Sequence, residues 1–180
     1  YTQAIASFPA TPILDNFNRA DGGVGSNALH TTMESGSTDT MVWGNSFGSD
    51  QEVYTTISAI DATATEVDLV LKEADRGDGW NLLEAWYQPQ RGTVQIWTVH
   101  NWGTWIQHGA DIPLTLQPGD QFGARAKADG TVEIYKNGTL VGSVSVASSW
   151  PSVASSGRVG VWLIDAPTTV LDDVGGGTLP

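Results

Sequence analysis

The stretch DQFGARAKADGTVEIYKNGTLVGSVSV, residues 120–146, predicts three consecutive antiparallel strands. Asp-Gly at 129–130 and Asn-Gly at 137–138 separate runs of β-forming residues, and both pairs favour the positive φ angles of tight turns. Between the turns, Val132 and Ile134 alternate with other residues, a period of two that indicates one buried and one wetter strand face. The stretch therefore predicts a β-meander within a larger sheet.

Length and charge limit the class of protein. A chain of 180 residues suits one domain, and all-β sandwiches of this size commonly form a single core. With 8 Lys and Arg residues against 20 Asp and Glu residues, the net charge of −12 disfavours nucleic acid, anionic membranes and polyanionic glycans as partners. The chain has no Cys, which excludes disulfides and thiolate metal sites.

The beginning of the chain differs from the rest. Residues 1–12 contain Pro9 and Pro12 and show no clear hydrophobic period, which predicts a linker or N-terminal arm before a single β-sandwich domain at 13–180. The sequence starts at Tyr1 rather than Met, so we expect a processed piece of a larger multidomain protein. No apolar run in the sequence is long enough to cross a bilayer.

Several separated stretches carry a family resemblance. They are Pro-Gly-Asp at 118–120 with the meander that follows, LDNFNRADG at 14–22, and Gly-Val-Trp at 160–162 with LDDVGG at 171–176. Together they resemble concanavalin A-like, laminin-G-like jelly rolls of the kind found as carbohydrate-binding modules in secreted bacterial proteins. The resemblance implies an all-β antiparallel β-sandwich, an extracellular or cell-surface location and a lectin-like function. The same fold also serves adhesive domains and a few enzymes, so function must be argued from the site.

Alternation of apolar and polar residues extends the prediction along the chain. Besides the meander, we expect strands at 13–18, 31–34, 41–43, 52–60, 66–73, 80–88, 93–100, 104–107, 112–117, 158–164 and 169–174. No stretch has a convincing helical period. The apolar positions that alternate on these strands predict a core of Val67, Leu69, Leu71, Ile96, Phe122, Val132, Ile134, Val144, Val161 and Leu163.

Tryptophan is frequent, with 8 residues, and it is concentrated between positions 80 and 105. A sugar ring presents an apolar face of C–H groups and a fringe of hydroxyls, so its receptor needs flat aromatic platforms edged by polar groups. The predicted ligand-binding residues are Trp80, Glu84, Trp86, Tyr87, Gln95, Trp97, His100, Asn101, Trp102 and Trp105. Alternation places Tyr87 on the opposite face from Glu84 and Trp86. About half of the Trp residues are expected in the core, and Trp102 at a hairpin tip is expected to be exposed.

Carboxylates near the two ends of the domain suggest a calcium site. Similar sandwiches often carry a structural calcium ion and commonly pair their terminal strands, so the resemblance implies that Asp15 meets Asp172 and Asp173. Hard carboxylate oxygens suit Ca²⁺. A rival site would use the two Asp side chains and a Gly carbonyl of the turn at 75–79, although a short Asp/Gly turn is more often only a turn.

An enzyme on the same fold is another class to weigh. Laminarinase-type glycoside hydrolases share the architecture and place three acids on one strand, as Glu-x-Asp-x-x-Glu or with one extra residue, so that two carboxylates flank the glycosidic bond. Glu66 and Asp68 begin such a pattern, but Glu73 follows too late, and alternation puts it on the opposite face unless a bulge intervenes. We therefore expect Glu66 and Asp68 on a solvated strand face with no catalytic role.

The sequence thus favours a non-catalytic domain that binds polysaccharide through exposed aromatic platforms. A structural or adhesive surface or fibre domain is the alternative, since Trp-rich edges and Gly-rich termini would also serve assembly. A glycoside hydrolase or polysaccharide lyase is the less favoured interpretation. The expected partner is a glycan, neutral rather than polyanionic, and the structural Ca²⁺ is the expected cofactor.

Overall fold

The computed structural model describes residues 7–17, 30–35, 38–75 and 79–180, with the backbone alone at 30–35, 38–40 and 75. Over these ranges the chain forms thirteen β-strands. They are β1 (Ile13–Asp15), β2 (His30–Ser35), β3 (Thr38–Val42), β4 (Gln51–Ala59), β5 (Glu66–Asp75), β6 (Trp80–Gln88), β7 (Thr93–Val99), β8 (Ile106–Pro113), β9 (Gln121–Ala126), β10 (Thr131–Lys136), β11 (Thr139–Ser145), β12 (Arg158–Ile164) and β13 (Val170–Thr178). The described residues include no helix long and apolar enough to span a lipid bilayer.

The strands form two antiparallel sheets. The back sheet has the order β1-β13-β4-β9-β10-β11, and the front sheet has the order β2-β3-β12-β5-β6-β7-β8. Neighbours such as β4 and β13, or β5 and β12, are far apart in the chain, so long-range pairing completes both sheets. This arrangement confirms the predicted all-β antiparallel sandwich of jelly-roll type.

The meander predicted from residues 120–146 is present as β9, β10 and β11. At its second turn Asn137 and Gly138 have φ angles of 50° and 78°, the two positive values that a type I′ turn requires. Val132 lies opposite Val144 on β11, and the Val132 side chain is fully buried. Local turn chemistry and alternation are therefore sufficient to explain this part of the fold.

The core lies between the two sheets. The predicted core residues that are fully enclosed are Val67, Leu69, Leu71, Ile96, Phe122, Val132, Ile134 and Val161. Val144 and Leu163 are partly buried and pack against the same cluster. Leu69 of the front sheet and Phe122 of the back sheet both belong to it, so one core joins the two layers. Burial of each such side chain contributes about 1.5–3 kcal/mol.

A β-bulge redirects the end of β5. The register between β5 and β6 shifts there, and Lys72 has a φ of 53°. Lys72 Nζ donates a 3.2 Å hydrogen bond to the carbonyl of Lys127, beyond β9 of the back sheet, and burial lowers the Lys72 pKa to about 8. Glu73 points to the other side of the front sheet, where it accepts hydrogen bonds of 2.5 and 2.9 Å from Arg158.

The segment before β1 packs on the back sheet. Glu52, which is fully buried, accepts a 3.0 Å hydrogen bond from the backbone N–H of Thr11 and forms a 2.7 Å ion pair with Arg125. Phe8 stacks on Tyr135 with ring centroids 4.2 Å apart. These contacts hold the segment against the outer surface of the back sheet.

The terminal strands of the domain pair as predicted. Ile13 lies opposite Gly175, and Asp15 lies opposite Val174. The first and last described strands therefore lie side by side at the edge of the back sheet.

Candidate functional site

The side of the front sheet turned away from the core, here called the front face, carries most of the predicted ligand-binding residues. Because side chains alternate along a strand, Glu66 and Asp68 of β5 share this face with Glu84 of β6. Strand pairing brings aromatic residues beside them, since Asp68 lies opposite Trp86 on β6 and opposite Trp162 on β12. The front face thus combines acids and indole rings from three neighbouring strands.

Tryptophan rings contact one another in two groups at this face. The first group is Trp80, Trp102, Trp105 and Trp162, and the second is Trp86 and Trp97. Trp80 stacks on Trp102 with centroids 5.1 Å apart, and Trp86 lies 5.5 Å from Trp97. Trp102 is 59% exposed whereas Trp80 is 6% exposed, so Trp102 covers Trp80. The predicted exposure of Trp102 is confirmed.

A cavity of about 250 Å³ opens on the front face. It is lined by Glu66, Glu84, Trp86, Trp97, Trp105, Trp162 and Ile164. Rings from both tryptophan groups form its walls, and carboxylates supply its polar atoms. Pockets for drug-sized ligands have volumes of roughly 300–1,000 Å³, so this cavity suits a smaller group such as one sugar ring.

Gln95 supports the cavity wall from behind Trp97. Trp97 Nε1 donates a 2.9 Å hydrogen bond to Gln95 Oε1, and Gln95 Nε2 donates a 2.8 Å hydrogen bond to Asp111 Oδ1. Gln107 Nε2 donates to the same Asp111 oxygen at 2.9 Å. Gln95 is largely buried, so its role is to orient the Trp97 ring.

Glu66 and Glu84 of the cavity wall form a cluster with the buried Asp68. Oxygens of Glu66, Asp68 and Glu84 lie within 4.8 Å of one another, and this is the one such acidic or histidine group within the described part of the chain. Asp68 is 1% exposed and Glu84 is 3% exposed. Both oxygens of Asp68 and Oε1 of Glu84 are buried and accept no hydrogen bond from a described residue outside the cluster. The indole Nε1 of Trp162 is also buried and has no hydrogen-bond partner among the described residues.

Burial and mutual repulsion change the acidity of this cluster. Burial raises the pKa of Asp68 well above its usual value, and the neighbouring Glu84 and Glu66 raise it further. Burial likewise raises the pKa of Glu84 to about 8, and it raises the pKa of Glu66. Asp68 hydrogen-bonds to Glu84 and Glu66. Two carboxyl groups can form such a bond only when one of them holds a proton, so the cluster retains protons at neutral pH.

The cluster corrects the expectation of a solvated face at Glu66 and Asp68. Asp68 is buried, and the third acid is Glu84 from the neighbouring strand instead of Glu73. The bulge does turn Glu73 toward the front face, but Arg158 pairs with it there. Sequence reasoning could have found the cluster only by pairing β5 with β6 in the correct register.

Two other expected site residues are corrected by their burial. Tyr87 is 2% exposed, its ring lies 5.9 Å from Phe122 in the core, and its hydroxyl accepts a hydrogen bond from the N–H of Leu116. Its position on the core face is the one that alternation predicts. Trp80 is on the front face, but Trp102 covers it, so it is a support for an exposed ring and no platform by itself.

His100 and Asn101 belong to the turn that carries Trp102 and do not line the cavity. His100 Nδ1 lies 3.2 Å from the hydroxyl of Ser152. The backbone N–H of Asn101 donates a 3.1 Å hydrogen bond to Asn81 Oδ1. These contacts hold the turn in place.

Trp162 and Ile164 of β12 are cavity residues that the sequence analysis missed. Trp162 stands in one of the stretches that carry the family resemblance, but it lies far in sequence from the other tryptophans of the site. Only the pairing of β12 with β5 brings it to the cavity.

The predicted calcium site requires β1 to pair with β13, and the structure contains this pairing. The site nevertheless offers few oxygen ligands. Asp15 Oδ1 accepts a 2.8 Å hydrogen bond from the N–H of Phe17, and Asp172 Oδ1 accepts one of the same length from the N–H of Asp173. These aspartates form no group of three ligands among the described residues. Calcium there stays a prediction, and melting with and without chelator tests it. The rival turn at 75–79 lies largely outside the described residues.

Comparison with known proteins gives matches of fold without close sequence similarity. No protein-family model matches the chain, and no curated protein sequence matches it. The carbohydrate-binding module CBM66 from Bacillus subtilis has a TM-score of 0.56 at 16% identity, covering 84% of this chain and 92% of that one. A protein of unknown function with a galectin-like fold from Bacillus subtilis has a TM-score of 0.61 at 15% identity, covering 82% and 80%. A Bacillus licheniformis beta-glucanase has a TM-score of 0.55 at 14% identity, covering 99% and 100%.

Proposed function

We propose that the chain is a carbohydrate-binding domain whose ligand lies against the front face and enters the cavity. The observation that carries the proposal is the convergence of four indole rings and two carboxylates on that cavity. Indole rings stack on the C–H face of a sugar, and carboxylates accept hydrogen bonds from its hydroxyls. The likeness in fold to a carbohydrate-binding module supports this class of function.

The aromatic surface continues beyond the cavity, which favours a polymer over a single sugar. Trp102 is exposed and stacks on Trp80, and Trp80 in turn contacts Trp105 and Trp162 of the cavity wall at 6.2 and 5.7 Å. Successive rings of a polysaccharide can use such a row of platforms. The net charge of −12 weighs against a polyanionic chain. A glycan ligand also fits the predicted extracellular or cell-surface location.

A panel of neutral, cationic and anionic polysaccharides tests the proposal by retardation of the protein in native affinity gels. We expect retardation by at least one polymer, and loss of it in Trp86→Ala, which removes a cavity wall. Leu140→Ala is the matched control, because Leu140 is 51% exposed on β11 of the back sheet. If no polymer retards the protein and the protein instead self-associates as its concentration rises, the structural or adhesive function replaces carbohydrate binding.

Glycoside hydrolysis is the second candidate, and the carboxylate cluster is the observation that favours it. Retaining glycosidases place their two carboxyl groups roughly 5–5.5 Å apart and keep one of them protonated. Oxygens of Glu66, Asp68 and Glu84 lie within 4.8 Å, and burial raises the pKa of Glu84 to about 8. However, retention also needs an ionised nucleophile, and burial raises the pKa values of all three acids, which favours their neutral forms.

Reducing-end release from the best-bound polysaccharide separates the two functions. The binding proposal expects no release by the unmodified chain. Sustained release that Glu84→Gln abolishes and Asp129→Asn leaves unchanged would establish hydrolysis. Asp129 is the matched acid because it is exposed in the turn between β9 and β10.

A further inference from the structure

Glu66, Asp68 and Glu84 of the front face have no cationic partner among the described residues. The ion pairs of the described residues join Arg125 to Glu52, Lys127 to Glu133, Lys136 to Asp120 and Arg158 to Glu73. None of these cations reaches Glu66, Asp68 or Glu84, although Asp68 and Glu84 are at least 97% buried. A buried carboxyl group is stable when it is hydrogen-bonded or paired with a cation, and among the described residues these three acids can share protons with one another but have no cation.

One residue of the cavity wall also carries a donor without an acceptor among the described residues. Trp162 lines the cavity, is 8% exposed, and its Nε1 is buried with no hydrogen-bond partner in the described part of the chain. An unsatisfied buried N–H is costly, so a bound group with an acceptor oxygen would stabilise it. The ligand of this cavity should therefore carry an acceptor for Trp162 as well as a donor for the acids.

The remaining walls are aromatic faces. Trp86 and Trp97 line the cavity together with Trp105. An indole face attracts a cation through its quadrupole and also stacks on the C–H face of a sugar. A cationic sugar would make both contacts, whereas a neutral sugar would leave the acids without a counter-charge.

A divalent metal ion explains these observations less well. Three carboxylates could hold Ca²⁺, but Ca²⁺ prefers six to eight oxygen ligands. The other cavity walls are indole rings and Ile164, which offer no oxygen ligand. An ammonium group with hydroxyl neighbours satisfies the acids, the indole N–H and the ring faces together.

We propose that the cluster of Glu66, Asp68 and Glu84 binds the ammonium group of an amino sugar, so that the preferred ligands are glycans with free amines, such as glucosamine polymers. The inference rests on the proposed carbohydrate-binding function and names its ligand class. The ammonium N–H groups donate to the carboxylates, and protons that the empty cluster holds are released to water. No covalent bond changes.

Calorimetric titration at about pH 7 with glucosamine oligomers, and with N-acetylglucosamine and glucose oligomers of the same length and linkage, tests the inference. The free-amine oligomer should bind at least tenfold more tightly than either other oligomer. Equal or tighter binding of a neutral oligomer overturns the inference and leaves the proposed function intact. If none of these oligomers binds and no polysaccharide of the panel does, both fail.

General attraction between a polycation and a chain of net charge −12 must be separated from recognition by the cluster. Asp68→Asn keeps the shape of the side chain and prevents the negative charge that the carboxyl group gains when the amine binds, and it should abolish the preference for the free amine. Asp129→Asn removes the same charge from an exposed turn of the back sheet and should keep the preference. A preference lost equally in both variants, or polylysine binding as tight as that of the glucosamine oligomer, would overturn the inference.

Two further measurements keep the test decisive. If Asp68→Asn fails to fold, Glu84→Gln replaces it, and its circular dichroism spectrum should match that of the parent. Titration with CaCl₂ alone should show no binding that either cluster variant removes. Calcium binding that depends on Asp68 or Glu84 would assign the cluster to a metal ion instead of an amine.

Discussion

Asp68 of β5 lies directly opposite Trp162 of β12, so a buried carboxyl group and a buried indole N–H that has no hydrogen-bond partner among the described residues are neighbours on the front face. Directly opposed residues of antiparallel strands have Cβ atoms roughly 4.5–5.5 Å apart. Neither group satisfies the other. A ligand that brings a donor and an acceptor would satisfy both, and this relationship leads to the first prediction.

Trp162→Phe should weaken glycan binding with a small loss of stability, because the lost N–H has no hydrogen-bond partner among the described residues. Trp150→Phe is the matched control. Trp150 is 3% exposed, and its Nε1 donates a 3.1 Å hydrogen bond to the carbonyl of Val99. The control should lose about 1 kcal/mol more stability than Trp162→Phe and should keep its binding. Urea unfolding and calorimetric titration measure the two effects, and equal stability losses would contradict the assignment of Trp162 Nε1 to a ligand.

Trp97→Ala should weaken binding of the best polysaccharide about tenfold, equivalent to roughly 1.4 kcal/mol, because Trp97 forms a wall of the cavity. Trp102→Ala should weaken it less, since Trp102 lies outside the cavity lining and covers Trp80. Both variants should melt close to the parent. If Trp102→Ala has the larger effect, the ligand lies on the turn and the cavity is not its main contact.

The free energy of unfolding should respond to pH through Glu84. Burial raises the pKa of Glu84 from 4.5 to about 8, so between these values the folded chain binds more protons than the unfolded chain. The stabilising contribution of this proton is therefore complete below the unfolded pKa and is lost as pH rises through the folded pKa. Glu84→Gln cannot titrate, and its unfolding free energy should decrease less between about pH 5 and 8 than that of the parent.

Asp68 and Glu66, the neighbours of Glu84, also contribute to the decrease of the unfolding free energy with rising pH. The pKa values of Asp68 and Glu66 are raised too, and Asp165 adds to the shift at Glu66. Asp129→Asn is the control, because hydrogen bonds from Thr131 lower the Asp129 pKa and its titration falls below this window. Urea unfolding at several pH values compares the three proteins. If the unfolding free energy of Glu84→Gln decreases with pH as steeply as that of the parent, Glu84 titrates like an exposed acid.

Arg125→Ala should destabilise the fold by about 3–5 kcal/mol, because it leaves the fully buried carboxylate of Glu52 without its cation. Lys127→Ala removes the comparable but more exposed partner of Glu133, and it should cost less than about 1 kcal/mol. Urea denaturation of the two variants gives the comparison. Similar losses in both would mean that the hydrogen bonds from the N-terminal segment hold Glu52 without help from Arg125.

Local signals determined much of the fold. The Asn137-Gly138 turn and the alternation of Val132 and Ile134 depend on residues within a few positions of one another, so the sequence predicted the meander and its buried face correctly. The same alternation separated Tyr87 from Glu84. Alternation could not predict which side chains come together on each face, because a period of two does not show which strand pairs with which.

Tertiary structure decided the site. Glu84 meets Asp68 only because β5 and β6 pair in one register, and Trp162 joins them only because β12, far along the chain, pairs with the other side of β5. A shift of either register by one residue would turn the same side chains into the core. The bulge at Lys72 is a similar case, since it reverses the direction of Glu73 and delivers it to Arg158. Sequence alternation determines which side chains can share a face, whereas the acid cluster needs long-range hydrogen bonding that only the assembled sheet fixes.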